Sequence, residues 1–397
     1  MRIGLISDTF LPVVDGVGRV VVAYAETLAK MGHQVTVSAP AYDTGHRGGF
    51  PYELVDYDGV RVPTYPQYRT GSPSLDRHYK RRIDMIHLDI VHAHSPFAAG
   101  AEGLRLSRQR GIPLVSTFHS KYYDDFLKAT KSEGIARAVL AKVVNFYKKC
   151  DEVWALSASS EQVLREYGYL GPARVMTNGT TLRETTREAV ASVEETYSLA
   201  NLPMFLYAGQ MNWKKNILRI LEAAKVVLEE SHDFKLILAG FGQDESAIRQ
   251  KIQEFGLETQ AVMTGMISDT AQLDALYARA RLFLFPSLYD TFSMVIREAA
   301  AMGTPSVAVA GSCAAESIRD GGNGFLCLDE AGSLTGVMKR ALASPDEMKR
   351  VGYAAKAEIP VTWDDVMKDV VSQYENLIQN HLSIRSSQNR YQRKHPD

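Results

Sequence analysis

Short apolar runs alternate along the whole chain with longer stretches of helical spacing. In the first half, runs at 2–6, 32–39, 89–93, 112–118 and 152–156 each end at a glycine, a proline or a polar edge. In the second half the same pattern recurs at 203–208, 235–239, 260–265, 281–286 and 304–309. Runs this short and this continuous suit strands buried on both faces of a parallel sheet. Residues 21–31, 159–167, 247–255, 270–280, 294–302 and 363–378 carry the intervening helical pattern, with a Ser-x-x-Gln start at Ser159 that suggests a capping box. Strand and helix in alternation predict an α/β protein built from doubly wound parallel sheets.

At 397 residues the chain is too long for one core, so two domains are expected. The polar crossing at 180–200 supplies a boundary, giving 1–185 for the first domain and 186–361 for the second. A helix at 362–380 is expected to return to the first domain. Residues 381–397, with Arg385, Arg390, Arg393 and Lys394, read as a polar basic tail without fixed structure. Formal net charge is −1, which gives no global electrostatic reason to bind nucleic acid. Cys150, Cys313 and Cys327 are widely spaced and lack a C-x-x-C, which disfavours both a disulfide framework and a zinc site. With no apolar leader and no run of 18 apolar residues, a cytoplasmic protein is expected.

The densest candidate chemistry lies at 287–305. Asp290 falls in a strand-to-helix turn at the carboxyl end of a strand, where open α/β sheets bind ligands. The amides of Thr291, Phe292 and Ser293 would crown the following helix and attract an anion such as phosphate. Eight residues of helix return to about 80° from the starting face. Asp290 and Glu298 can therefore converge on one ligand, each accepting from paired hydroxyls such as the diol of a ribose. Read alone, the same pair is an N-capping Asp and a solvated Glu. Near the N-terminus, Asp15-Gly16-Val17-Gly18 offers a glycine turn after a strand, but Val21 stands where a dinucleotide fingerprint needs its third glycine. Asp56 and Asp58 superficially form a D-x-D; Asp58-Gly59 reads instead as a hairpin turn. His92 and His94 share a face of one strand, with no third metal ligand near in sequence. No metal is assigned.

The order of motifs resembles family 4 glycosyltransferases of the GT-B fold, two Rossmann-like doubly wound parallel-sheet domains whose last helix crosses back to the first. The resemblance rests on the acid pair Asp290 and Glu298 with seven residues between them, the Glu-Ala-x-Ala-x-Gly-x-Pro run through Pro305, and Gly311, Glu316, Asp320 and Asn323-Gly324 after it. It implies that Asp290 contacts the transferred sugar, that Phe292 and Ser293 meet sugar and phosphate, and that Glu298 holds the ribose diol. It further implies that Gly16 and Gly18 lie against the donor diphosphate and acceptor, and that His119, in a T-x-H pattern, hydrogen-bonds the sugar or diphosphate region. Lys215 falls on the lysine of a G-R-x4-K diphosphate clamp, Gly240 on a nucleotide-pocket glycine, and Met266 and Ile267 against the base. The chain departs from the pattern at Gln210, where the clamp has arginine, at Asp290 in place of Glu, and at Ser293 in place of Gly.

The implied activity is metal-independent retaining transfer of a hexose from a nucleoside diphosphate sugar, UDP-glucose-like, UDP-galactose-like or GDP-mannose, with His119, Lys215 and Asp290 as catalytic residues and no added cofactor. The run His119-Ser-Lys-Tyr-Tyr-Asp-Asp125 is similar to that of enzymes that glycosylate diacylglycerol-type lipids. Basic and apolar residues interleave from Lys121 to Lys149, and Arg77, Lys80, Arg81 and Arg82 cluster before them. This composition suits either a peripheral contact with the anionic inner face of a membrane or a helix packed on the sheet. A soluble acceptor, a nucleotide-sugar epimerase or hydrolase using His119 as acid or base, and a non-catalytic sugar-nucleotide sensor are the rival readings.

Overall fold

A computed structural model describes residues 1–13, 15–42, 48–62, 65–230 and 233–394, the side chains of 65–67 and 385–394 excepted. It divides into two compact units, Met1–Asn178 with the segment from Trp363 onward, and Gly179–Thr362. The first unit runs β1 (Arg2–Ile6), α1 (Gly16–Lys30), β2 (Gln34–Pro40), β3 (Glu53–Tyr57), β4 (Gly59–Val62), β5 (Tyr65–Gly71), α2 (Arg77–Met85), β6 (Ile90–Ala93), α3 (Ala98–Arg110), β7 (Leu114–Phe118), α4 (Tyr122–Thr130), α5 (Glu133–Tyr147), β8 (Glu152–Ala155), α6 (Ala158–Glu166) and β9 (Ala173–Val175). Its seven-stranded sheet is ordered β3-β2-β1-β6-β7-β8-β9, and the pairs along it are parallel. Strand order reverses beside β1, so the ends of β1, β6 and β7 open at a topological switch point.

The second unit continues with α7 (Arg187–Thr196), β10 (Met204–Ala208), α8 (Ile217–Glu229), β11 (Lys235–Ala239), α9 (Glu245–Glu254), β12 (Ala261–Gly265), α10 (Thr270–Arg279), β13 (Leu282–Leu284), α11 (Met294–Ala301), β14 (Ser306–Val309), β15 (Phe325–Cys327), α12 (Ala331–Ala343) and α13 (Pro345–Glu358). The sheet order is β12-β11-β10-β13-β14-β15, again parallel. Here the reversal lies between β10 and β13, which places the loops bearing Lys215 and Asp290 side by side. The last helix, α14 (Trp363–Lys394), belongs to the first unit. Its buried Val366, Met367, Val370 and Tyr374 form one face. Burying each such side chain contributes about 1.5–3 kcal/mol, and Tyr374 stacks on Trp154 with ring centroids 5.3 Å apart.

Several boundaries differ from those the sequence suggests. Helix α1 begins at Gly16 rather than near Val21, because the Asp15 carboxylate caps it by accepting from the Gly18 amide at 2.7 Å. The capping box of α6 is Ser157 with Ser160, not Ser159. The polar crossing at 180–200 contains α7, tied to the second unit by Arg183 on Asp274 and Arg279 on Glu194. Asp58-Gly59 does not turn a hairpin: β3 lies in the large sheet, while β4 pairs antiparallel with β5. Helix α14 runs to Lys394, past the boundary at 380, since no glycine or proline interrupts 361–395. The side chains of Arg385, Arg390, Arg393 and Lys394, and residues 395–397, lie outside the described residues.

Candidate functional site

In the second unit the site is built on the ends of β10 and β13. Asp290 Oδ1 accepts from the amides of Ser293 at 2.8 Å, Thr291 at 3.0 Å and Phe292 at 3.3 Å. Its Oδ2 accepts from Lys215 Nζ at 3.0 Å, and the same ammonium donates to the Tyr289 carbonyl at 3.0 Å. The amide crown that the sequence offers to a phosphate is thus taken by the chain's own carboxylate. This is the amide-capping role of the plain reading, a turn aspartate folding its side chain back onto the next three amides. Burial would raise the Asp290 pKa, but the Lys215 charge and the hydrogen bonds from Lys215, Ser293 and Phe292 outweigh it and hold the group below its ordinary value. Asp290 is therefore anionic at neutral pH. A carboxylate offers about four lone-pair positions, so Oδ2 keeps room for one further donor.

Glu298 is one helical stretch deeper, on α11. Its side chain is buried and accepts from the Tyr277 hydroxyl at 3.2 Å. It is not the solvated surface glutamate of the plain reading. Arg183 pairs with buried Asp274 beside it. Gln210 is exposed; its carbonyl, not its side chain, is engaged, accepting from the Tyr207 hydroxyl at 2.8 Å. Gly240 sits at φ 132°, and a Cβ there would meet the Gly209 carbonyl oxygen at 1.9 Å. The glycine thus lets the loops after β10 and β11 touch. Met266 is 62% exposed at the end of β12, and Ile267 packs on the core.

In the first unit, the ends of β1, β6 and β7 assemble Asp8, His92, His94 and His119. His92 Nδ1 lies 2.6 Å from the Tyr374 hydroxyl and its Nε2 2.7 Å from Thr117 Oγ1. His94 Nδ1 lies 3.1 Å from His119 Nε2, and the three imidazoles stack in a row with centroids 4.1 and 5.4 Å apart. Burial holds His92 and His94 well below the usual histidine range and takes His119 down to about 3. His119 is neutral at physiological pH, so it is a hydrogen-bonding group rather than a general acid. His94 Nε2 is buried without a partner. A lone pair is cheaper to leave unpaired there than an N–H, so we assign the proton to Nδ1, donated to His119. Among the described residues no three His, Cys, Asp or Glu side chains form a metal-binding group.

Neither Asp8 nor the turn residue Asp15 stands out in the sequence as a buried carboxylate. Asp8 accepts from Ser95 Oγ, from the Ala99 amide at 3.0 Å and from Tyr57 at 3.4 Å. Its place at the end of β1 is the same signal that singled out Asp290. Burial raises the pKa of both Asp8 and Asp15. Gly18 is required by Asp15: a Cβ there would meet Asp15 Oδ1 at 3.0 Å and the Val13 carbonyl at 3.3 Å, whereas Gly16 has nothing within 4 Å.

Residues 14–184 match the Glycosyltransferase Family 4 profile, and 193–358 match Glycosyl transferases group 1. An alpha-monoglucosyldiacylglycerol synthase of Streptococcus pneumoniae is 27% identical over 367 residues, covering 87% of this chain and 79% of its own. A GDP-mannose-dependent alpha-mannosyltransferase of Mycolicibacterium smegmatis is 29% identical over 394 residues, 95% of this chain and 98% of its own. The crystal structure of Anabaena HepE in complex with UDP and glucose superposes with a TM-score of 0.75 at 19% identity, covering 94% of this chain and 99% of that one. The likeness thus spans both units and both sheets, and the chain belongs to the family 4 glycosyltransferases of GT-B fold.

Proposed function

We propose that this glycosyltransferase moves a hexose, with retention of anomeric configuration, from a nucleoside diphosphate sugar to a hydroxyl of a diacylglycerol-type membrane lipid. The observation that carries the reading is the anionic Asp290, fixed by Lys215 and three loop amides and followed eight residues later by buried Glu298. Asp290 Oδ2 takes a hydroxyl of the transferred sugar, and Glu298 takes the ribose diol. Met266 and Ile267 lie against the base. The acceptor oxygen bonds to the anomeric carbon as the bond to the diphosphate breaks, and its proton passes to the departing phosphate oxygen. Lys215 stabilises the charge that grows on that diphosphate. With Gln210 in place of arginine, Lys215 carries a larger share of this work. His119, being neutral, orients the sugar by hydrogen bonding.

The lipid acceptor is supported by the named activity of the Streptococcus relative and by the surface of α4 and α5. Ile135 is 53% exposed, and along the same stretch Lys128, Lys131, Lys142, Lys148 and Lys149 are exposed, while Ala136, Val143, Val144, Phe146 and Tyr147 pack inward. The two readings of this stretch are therefore compatible, one face serving the core and the other the solvent. Arg77 and Arg81 are exposed as well; Arg82 is committed to Glu53 and Asp56. Each basic residue near an anionic leaflet contributes about 1 kcal/mol, enough together for reversible peripheral binding at the cytoplasmic face. Among the described residues no helix is long and apolar enough to cross a membrane.

The test is a screen of UDP- and GDP-sugars for nucleoside diphosphate release, with diacylglycerol in anionic vesicles or with soluble acceptors. Release that requires both one sugar nucleotide and the lipid supports the reading. Turnover with soluble acceptors alone overturns the lipid assignment, and no turnover with any donor overturns the whole.

A further inference from the structure

Ser293 occupies a costly position. It caps α11 in the left-handed region, φ 55° and ψ 66°, where side chains other than glycine are disfavoured. Its Oγ is buried without a hydrogen-bond partner, a second cost at the same residue. Yet its amide makes the 2.8 Å bond to Asp290 Oδ1, the shortest of the three, so the conformation must be held for Asp290 to be held.

What holds it is visible one turn along the helix. Arg297 Nη1 donates to the Phe292 carbonyl at 2.6 Å, and the guanidinium carbon lies 3.6 Å above the centre of the Phe292 ring. One planar group thus grips both the backbone and the side chain of the residue that precedes Ser293. Burial lowers its pKa to about 10, opposed by the charges of Glu316 and Asp290, so it stays cationic at neutral pH. We propose that Arg297 is a positioning residue that clamps the Phe292 carbonyl and ring, offsetting the strain at Ser293 so that the loop amides stay aimed at Asp290. A glycine at this position would need no clamp. The functional weight of the clamp rests on the donor-site reading above; its test does not.

Amide hydrogen exchange at Thr291, Phe292 and Ser293 reads the clamp without any ligand. Arg297→Met, with Arg297→Gln as the alternative should the Met variant fail to fold, is expected to lower protection of these amides roughly tenfold, the worth of a charged hydrogen bond. Ser293→Gly combined with it should bring protection back to near that of Ser293→Gly alone. Arg297→Lys should not substitute, because an ammonium keeps the charge but lacks the plane that stacks and donates together. Unchanged protection in Arg297→Met overturns the proposal. So does an equal loss in the wild-type and Ser293→Gly backgrounds, which would mean the arginine offsets nothing at this residue, and so does full protection in Arg297→Lys, which would assign the effect to charge. If exchange follows the expectation while Arg297→Met leaves turnover of the sugar nucleotide intact, the clamp stands and the placement of the donor on this loop fails.

Discussion

Lowering pH from 8 to 5 should unload His119 in a calculable way. Its folded pKa is about 3 because the ring is buried, against about 6.5 in the unfolded chain. A base whose folded pKa is depressed favours the native state only while neutral. Its contribution is complete above 6.5 and is lost as pH falls from 6.5 toward 3, since the unfolded chain binds the proton first. At pH 5 the unfolded imidazole is 1.5 pH units below its pKa, so each such histidine costs about 2 kcal/mol relative to pH 8. His92 and His94, held well below the usual range by the same burial, act in the same direction. Asp8 and Asp15 act in the opposite sense: their raised folded pKa values contribute stability at low pH that is lost as pH rises through them. A double difference cancels that term. Urea unfolding at pH 8 and pH 5 should show wild type losing about 2 kcal/mol more than His119→Asn. Equal losses in the two proteins would mean that His119 is protonated in the native state at pH 5, and would restore it as a candidate acid.

Three further outcomes are expected. Glu298→Ala should weaken binding of the sugar nucleotide by about 1–3 kcal/mol, read by calorimetry, because a buried acceptor that takes the Tyr277 hydroxyl is lost from the position proposed to hold the ribose; unchanged affinity in a folded variant contradicts the role. Lys215→Ala should lower kcat more than it raises KM if, as proposed, its ammonium serves charge that develops on the leaving diphosphate; a rise in KM alone would make it a binding residue. Turnover should persist in excess chelator, and a complete, reversible loss would bring Asp56, Asp58, His92 and His94 back as metal ligands.

Apolar runs located the central strands because these are buried on both faces, which leaves a continuous signal, whereas half-exposed β3 at the sheet edge leaves none. Helix starts were less legible. Asp15 and Ser157 cap through side-chain geometry that spacing does not encode, and α7 hides in a polar crossing because it presents only Val193 as a fully buried residue. Of the candidate site, Asp290 in the turn after β13 and Glu298 on α11 were legible from residue type and spacing, whereas Lys215 came only from the family resemblance. That three histidines would stack neutral and that Arg297 would grip Phe292 are consequences of packing that the sequence does not spell out. Helix α14 shows the reverse error: polar composition suggested an unstructured tail, while the lack of any breaker carries the helix to Lys394.

The central claim is that glycosyl transfer to lipid runs through the Asp290 carboxylate. Transfer of radiolabel from the sugar of a nucleoside diphosphate donor into organic-extractable lipid, compared between wild type and Asp290→Asn at equal folding, tests it most directly. The amide keeps the shape but loses the anion between Lys215 and the loop N–H groups. The account predicts labelled lipid from wild type and a loss of at least about a hundredfold in the variant, the cost of one well-placed catalytic electrostatic contact. Labelled lipid formed at the same rate by both proteins would contradict it.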